Sequence, residues 1–75
     1  MSLEKLQYDM ELAITNSRIL VRKCEDKIRE INESGLIPTN IELEELRNIN
    51  AASIEALKIS QERINAFYKA KSNSN

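Results

Sequence analysis

The side chains in this chain that could carry out chemistry are its carboxylates and its one thiol. The sequence has 12 aspartates and glutamates, one cysteine and no histidine. The neighbouring carboxylates Glu25-Asp26 and Glu44-Glu45 are of the type that serves as general acid and base. Both pairs fall on helix faces that we expect to be solvated. Cys24 falls among apolar residues, where a thiol behaves as a small hydrophobic group.

The sequence predicts no catalytic residue, no metal site and no cofactor. It has no glycine-rich phosphate loop, no metal-ligand spacing and no nucleophile at helical spacing from a base. The net charge is −1, with acidic and basic residues nearly balanced, so we expect no basic surface for nucleic acid or for an anionic membrane. We therefore expect that the protein is not an enzyme and that it acts through its outer surfaces.

The N-terminus and the cysteine content predict the compartment. Residues 1–5 lack the basic region followed by an apolar core that marks a secretory signal. No stretch approaches the roughly 20 apolar residues of a membrane span. A single cysteine cannot form an internal disulfide, which is typical of a reducing compartment. We expect a cytoplasmic protein without membrane insertion.

Three local signals near the middle of the chain predict a turn between two helices. Gly35 can adopt the left-handed conformation that ends a helix, and Pro38 cannot continue one. Thr39 and Glu42 have the spacing of a capping box that begins the next helix. We therefore predict four segments: a helix over about residues 3–34, a turn over about 35–39, a helix over about 40–71 and a frayed tail over 72–75.

These segments predict an all-α fold, a two-helix antiparallel hairpin that resembles a coiled coil and forms one domain over residues 1–75. A chain this short buries only about 60% of its extended surface, so a lone hairpin is marginal. Two helices also share only one interface. We expect that a partner or a second copy completes the fold.

Along the first helix, apolar residues recur at three- and four-residue steps and predict one buried seam. Three apolar residues fall outside this seam, roughly 140–180° away from it around the helix. They are Tyr8, Leu12 and Ile19. They form either a contact patch or scattered exposed residues of the kind that is common on soluble proteins.

The second helix carries more apolar surface than one neighbouring helix covers. Its two adjoining stripes together span roughly 240°, whereas a single partner helix needs about 100°. Ala52, Ala56 and Ala66 predict a flat docking surface, unless the alanines are present only because they favour helix. Asn50 lies within one stripe, where it either fixes the register as a buried amide or turns to solvent.

This excess of apolar surface predicts a site for a protein partner. The sequence leaves open which apolar stripe faces the partner and which faces the interior of the hairpin. The candidate partner-binding residues are Tyr8, Leu12, Ile19, Ile49, Ala52, Ala56, Ile59, Phe67 and Tyr68.

One short segment of the second helix resembles a catalytic motif. Residues Ile59-Ser60-Gln61-Glu62-Arg63-Ile64 are similar to the Ser-Gln-Glu-Leu-Asp signature of the small aspartyl-phosphate phosphatases of sporulation, which are also helical hairpins. This chain has Ile64 in place of the aspartate of that motif, and the segment lies too far beyond Gly35. We therefore do not assign phosphatase activity to the chain.

A second resemblance covers most of the chain and lies in the order and length of its features. The chain opens with Ser2-Leu3-Glu4-Lys5-Leu6, and its long first helix ends in Glu33-Ser34-Gly35 before a polar turn. The second helix contains Ile54-Glu55-Ala56-Leu57, continues to Ile64 and closes on Phe67-Tyr68. In these features the chain resembles the small co-chaperones of type III secretion needle subunits, the YscE/EscE-like family.

The resemblance implies a virulence-related chaperone function in the bacterial cytoplasm. Members of that family bind a larger tetratricopeptide-repeat-like chaperone, and the pair keeps a needle subunit unpolymerised before export. The residues alone leave an alternative open, which is a small helical homo-oligomer with a structural or regulatory role and no obligate partner. In either case the isolated chain is expected to self-associate, most simply as a homodimer.

Overall fold

The computed structural model describes residues 2–73 as two long helices joined by a short turn. Helix α1 spans Leu3–Ser34 and helix α2 spans Asn40–Asn73. The helices pack against each other along their length and form a rod of 57 × 16 × 14 Å. This arrangement confirms the predicted all-α helical hairpin.

Gly35 ends α1 in the left-handed conformation that the sequence predicted. Its φ is 67°, and its backbone N–H donates to the carbonyl oxygen of Asn32 at 3.3 Å. The Ser34 hydroxyl donates to the carbonyl oxygen of Ile31 at 2.7 Å and accepts from the backbone N–H of Leu36 at 3.2 Å. Because most L residues are strained at this φ, the turn favours glycine at this position.

A reciprocal capping box begins α2, as the spacing of Thr39 and Glu42 predicted. The backbone N–H of Glu42 donates to Thr39 Oγ1 at 3.1 Å, and the backbone N–H of Thr39 donates to Glu42 Oε1 at 3.0 Å. Ser2 caps α1 by a single hydrogen bond, since its Oγ accepts from the backbone N–H of Lys5 at 3.2 Å. Both helices therefore begin where a polar side chain satisfies an otherwise unpaired backbone donor.

The second helix continues past its predicted end. The prediction placed the end of this helix at about residue 71 and a frayed tail after it, and the structure includes Ser72 and Asn73 in α2. Neither glycine nor proline follows Lys71 to stop the helix, and the positive charge of Lys71 in the last turn favours the helix C-terminus. Residues 74 and 75 lie outside the described residues.

Small residues line the contact between the two helices. Ala13 and Ser17 of α1 are buried, as are Ser53 and Ser60 of α2. Each serine satisfies its hydroxyl within its own helix: Ser17 donates to the Ile14 carbonyl at 2.8 Å, Ser53 to that of Asn50 at 2.8 Å and Ser60 to that of Ala56 at 2.9 Å. The buried hydroxyls therefore do not need a partner across the interface.

Because small residues occupy the centre of this contact, larger apolar side chains lie at its edges. Within residues 2–73 no large side chain is fully buried, and Ile31 near the turn is the one large apolar residue classed as buried. Leu20, Leu46 and Ile64 are half-buried. The hairpin thus has a thin core and two partly open apolar flanks.

Candidate functional site

An apolar groove runs along one side of the hairpin, where the two helices meet. We call it the alanine groove. Its middle part has a volume of about 450 Å³, and an adjoining part of about 250 Å³ continues it toward the chain ends. The residues that line both parts are Ala13, Asn16 and Ile59. The groove also contains Leu12, Ile19, Leu20, Ala52 and Ala56.

The groove exists because alanines stand on α2 where larger residues would close it. Ala52 and Ala56 are four residues apart, one turn of helix, so they lie on the same side of α2. Ser53 beside them is buried against α1. The small side chains leave space beside the helix–helix contact, and Leu12, Ile19 and Ile59 form apolar walls around that space.

Polar and charged groups stand at the edge of the alanine groove. Asn16 and Glu55 line its middle part, and Asp9 and Arg63 line the part nearer the chain ends. This distribution, apolar inside with a polar edge, is typical of surfaces that bind another protein. This arrangement can bind the apolar face of a helix by burying it, and the charged residues at the edge can orient that helix.

The structure brings together five of the nine candidate partner-binding residues. Leu12 and Ile19 of α1 meet the three α2 candidates of the alanine groove, which are Ala52, Ala56 and Ile59. Leu12 and Ile19 were predicted to point away from the hairpin seam, and they nevertheless reach the groove because it opens at the side of the seam. The two off-seam residues and the alanine stripe thus form one surface.

The other four candidates lie outside the alanine groove. Ile49 and Phe67 are half-buried. Tyr8 is 61% exposed and Tyr68 is 56% exposed. The rings of Phe67 and Tyr68 pack edge to face with centroids 5.3 Å apart. The structure does not place these four residues among those that line the alanine groove.

A further depression of about 420 Å³ continues the groove to the end of the hairpin where α1 begins and α2 ends. We call it the open-end depression. Its apolar part consists of Leu6, Ala66 and Ala70, and its charged lining consists of Asp9, Arg63 and Lys69. It shares Asp9 and Arg63 with the alanine groove, so the two form a continuous surface.

The opposite side of the hairpin carries a second groove. Near the turn it is lined by Cys24, Leu43 and Asn50, among other residues. Asn50 is exposed, which favours the interpretation that its amide turns to solvent. Cys24 is half-buried rather than fully buried. The largest depression on this side, about 650 Å³, combines the apolar residues Ile19, Val21 and Leu57 with the charged residues Arg18, Arg22 and Glu25.

A second apolar feature, which was not predicted from the sequence, lies at the turn. Leu36, Ile37 and Ile41 are 76%, 91% and 73% exposed. We call these three residues the apolar tip. The sequence does contain a signal for this feature. Exposed aliphatic residues add nothing to the stability of a surface turn, so their presence beside the polar capping residues could have identified it.

No group of three histidines, cysteines, aspartates or glutamates within residues 2–73 could hold a metal ion. Neither helix, over the part that the structure describes, is apolar enough to cross a lipid bilayer. The alanine groove is the surface of the described residues at which most of the candidate partner-binding residues meet. Comparison of the chain with protein-family models, with characterised proteins and with solved structures found no match.

Proposed function

We propose that this protein is a non-catalytic adaptor that binds a helix of a larger partner protein in the alanine groove. The observation that carries the proposal is the convergence of Leu12 and Ile19 from α1 with Ile59 from α2 around the small side chains of Ala52 and Ala56. Apolar walls around a small-residue floor suit the side chains of a helix that docks lengthwise.

The residues that line the alanine groove indicate what kind of partner segment can bind there. It needs an amphipathic helix with apolar residues at three- and four-residue spacing, since the groove runs along the hairpin. The partner helix should carry a basic residue where it passes Asp9 and an acidic residue where it passes Arg63. Helical repeat proteins present such helices in series, and they leave an apolar flank at the end of the array that needs a cap.

The resemblance to the YscE/EscE-like co-chaperones supports a more specific role. In this proposal the partner is a tetratricopeptide-repeat-like chaperone in the bacterial cytoplasm, and the complex keeps a type III secretion needle subunit unpolymerised before export. A needle subunit is a self-associating helical protein, so its apolar face must stay covered until export. The adaptor would act by stabilising the repeat chaperone.

The test is co-purification with the chain's native partner, using charged substitutions in the groove. Ile59→Asp and Ala56→Asp each place a carboxylate in the apolar groove, and we expect each to abolish binding because an unpaired buried charge is strongly unfavourable. Matched controls are Ile54→Asp and Ala51→Asp. Each control residue is exposed and lies five positions earlier, about 140° away around the helix.

The expected result is a stoichiometric repeat-type partner that is retained by the wild type and by both controls and lost with both groove variants. Circular dichroism of all variants must show unchanged helicity. The needle subunit should then stay soluble when it is produced with the adaptor and its chaperone, and should polymerise when the Ile59→Asp variant replaces the adaptor. Retention of the partner by both groove variants contradicts the proposed mechanism.

A further inference from the structure

The turn end of the rod is acidic, and the open end of α2 is basic. Residues 30–45, at the turn end, contain five glutamates and no lysine or arginine, although Lys27, Arg29 and Arg47 form ion pairs with three of them. Residues 63–71, at the open end of α2, contain three basic residues and no acidic one, whereas residues 3–11 of α1 contain three acidic residues and one lysine. The turn of one molecule is therefore attracted to the basic end of α2 in another molecule and repelled by the turn of that molecule.

The apolar tip lies within the acidic segment. Ile41 stands on the first turn of α2, and Glu44 and Glu45 follow it within one turn. Leu36 and Ile37 precede it in the turn between the helices. This end of the molecule thus presents exposed aliphatic side chains next to negative charge, a combination that suits an apolar site with a basic edge.

The open-end depression has the complementary character. Leu6, Ala66 and Ala70 provide an apolar surface on which an aliphatic side chain can pack. Arg63 and Lys69 provide positive charge beside that surface, which suits the glutamates that accompany the tip. Asp9 is the one acidic residue in the lining.

We propose that the open-end depression binds the turn of a second copy of this chain, in an antiparallel dimer that covers the alanine groove. A two-fold axis across the rod makes the two contacts identical, because each copy offers its turn and receives the turn of the other. Ile41 of the apolar tip is then covered at both ends of the dimer.

The lengths of the helices allow this arrangement without overhang. Helix α1 has 32 residues and α2 has 34, so an antiparallel copy overlaps the whole rod. A face of 57 by 16 Å is comparable to the ~800 Å² that each partner buries in a standard interface. The dimer is therefore large enough to be stable.

The spacing of residues on α2 is also self-complementary. With the two-fold axis near Ala56, Ile41 meets Ala70 of the second copy and Ala52 meets Ile59 of the second copy, so each isoleucine packs on an alanine. Alternation of large and small residues lets the two helices pack closely.

The reverse orientation, with the two turns side by side, is disfavoured. It would bring the five glutamates of each turn segment close together, and like charges at an interface cost free energy. It would also leave Arg63 and Lys69 of each open-end depression without an acidic residue of the second copy beside them. The charge distribution therefore selects the antiparallel orientation.

This inference goes beyond the proposed function and stands if that function fails, because the dimer needs only the chain itself. If both hold, the second copy covers the alanine groove until the partner helix displaces it. The dimer is then the storage form of the adaptor, and dimer formation and partner binding exclude each other.

Cross-linking between two singly substituted chains tests the orientation. Both carry Cys24→Ser, and one also carries Ile41→Cys while the other carries Ala70→Cys together with a mass tag. A short bis-maleimide should join the tagged chain to the untagged one in the mixture. Within one hairpin the two positions lie at opposite ends of α2, so an intramolecular link cannot imitate this result.

Each variant alone is the control for the opposite orientation. Cross-linking of Ile41→Cys chains with one another would place the turns side by side and overturn the proposal. Sedimentation velocity of the wild-type chain across a range of concentrations gives the second measurement. The proposal is also overturned if the wild type is a monomer at every concentration. The same holds if it is a dimer but neither the mixture nor the single variants form a cross-link.

Charge reversal provides an independent measurement on the same dimer. Arg63→Glu places a negative charge in the open-end depression, and we expect the dimer dissociation constant to rise roughly tenfold. Lys58→Glu is the matched control, since it makes the same change in net charge on the other side of α2 and should leave the constant nearly unchanged. Equal effects of the two substitutions contradict the proposed contact.

Discussion

Lys27 Nζ donates to Glu45 Oε2 at 2.8 Å, and this ion pair joins α1 to α2 near the turn. The Lys27 side chain is only 21% exposed. The hydrogen bond to Glu45 raises the lysine pKa, against a smaller opposing effect of burial. Other ion pairs, such as Lys5–Asp9, Asp26–Arg29 and Glu44–Arg47, each lie within one helix. The Lys27–Glu45 pair therefore helps to fix the position of the two helices relative to each other.

Removal of the Lys27 charge should lower the stability of the hairpin slightly, and high salt should reduce this effect. Lys27→Met keeps the length of the side chain and loses the ion pair, so the melting temperature should fall at low ionic strength. In 1 M salt, where the Debye length is about 3 Å, the difference from the wild type should shrink. Thermal unfolding followed by circular dichroism at both salt concentrations measures this.

Lys23→Met is the control for this experiment, because Lys23 is an exposed lysine one turn earlier on α1. The pH dependence gives a further check. A raised folded-state pKa means that the contribution of Lys27 is fully present below its ordinary value of 10.5 and is lost only as the pH rises above it. A Lys27→Met effect that disappears between pH 6 and pH 9 (approximate limits) would contradict this account.

The Glu42 cap should make the start of α2 sensitive to acid. The backbone N–H of Thr39, which donates to Glu42 Oε1 at 3.0 Å, lowers the pKa of the Glu42 carboxyl below its ordinary value of 4.5, and the nearby Thr39 side chain lowers it further. The stabilisation is therefore present above pH 4.5 and is lost as the pH falls through the lower folded-state value. Glu42→Gln should be less stable than the wild type at neutral pH, and the difference should vanish in acid.

Chemical unfolding of both proteins at a series of pH values measures that difference. Glu44→Gln is the control, since it removes a nearby carboxylate that does not belong to the capping box. If Glu42→Gln and the wild type differ by the same amount at neutral and acid pH, the cap does not act through the charged carboxylate.

The turn and the helix boundaries followed from the sequence because their causes are local. Gly35 and the Thr39/Glu42 pair each act on backbone groups within a few residues, so their effect does not depend on distant packing. The end of α2 was predicted too early, since no residue after Lys71 is a strong stop signal and the polar tail was interpreted as frayed.

The alanine groove followed from the sequence only in part. Helical periodicity identified the excess of apolar residues on α2, but it placed Leu12 and Ile19 away from the seam. Whether those residues reach α2 depends on how closely the helices approach, and Ser17, Ser53 and Ser60 decide that. A periodic pattern alone does not give this distance. It also gave no weight to the apolar tip, since Leu36 and Ile37 lie in the turn between the two helices.

Gly35→Ala should destabilise the hairpin through the backbone alone. Nothing lies within 4 Å of the Cβ that alanine would add, so no steric clash contributes. The remaining cost is that of an L residue at positive φ, about 1–2 kcal/mol. Urea unfolding at one fixed protein concentration should show a lower midpoint and an unchanged slope.

Gly35→Asn is the comparison that isolates the backbone effect. Asparagine tolerates the left-handed conformation better than alanine, so this variant should be more stable than Gly35→Ala although its side chain is larger. If the two variants have the same midpoint, the left-handed turn is not the cause of the loss.

A larger residue at Ser53 should force the two helices apart. Ser53 is buried in the helix contact and donates to the carbonyl of Asn50 in its own helix at 2.8 Å. Ser53→Leu adds volume where no space exists, and overpacking of this kind costs about 1–3 kcal/mol. Ser53→Ala keeps the close approach and should change the free energy of unfolding by no more than about 1 kcal/mol.

The same substitution also tests whether the alanine groove depends on the serine contact. Ala52 and Ala56 flank Ser53 on α2, so a wider helix separation should change the groove and weaken partner binding or dimer formation together with stability. Ala51→Leu is the control, since Ala51 is exposed on the same turn and can accept a leucine without contact with α1. If Ser53→Leu unfolds at the same urea concentration as Ala51→Leu, close packing of small residues does not hold this hairpin together. The groove would then owe its shape to the alanines alone, because the distance between the helices would not depend on the residue at position 53.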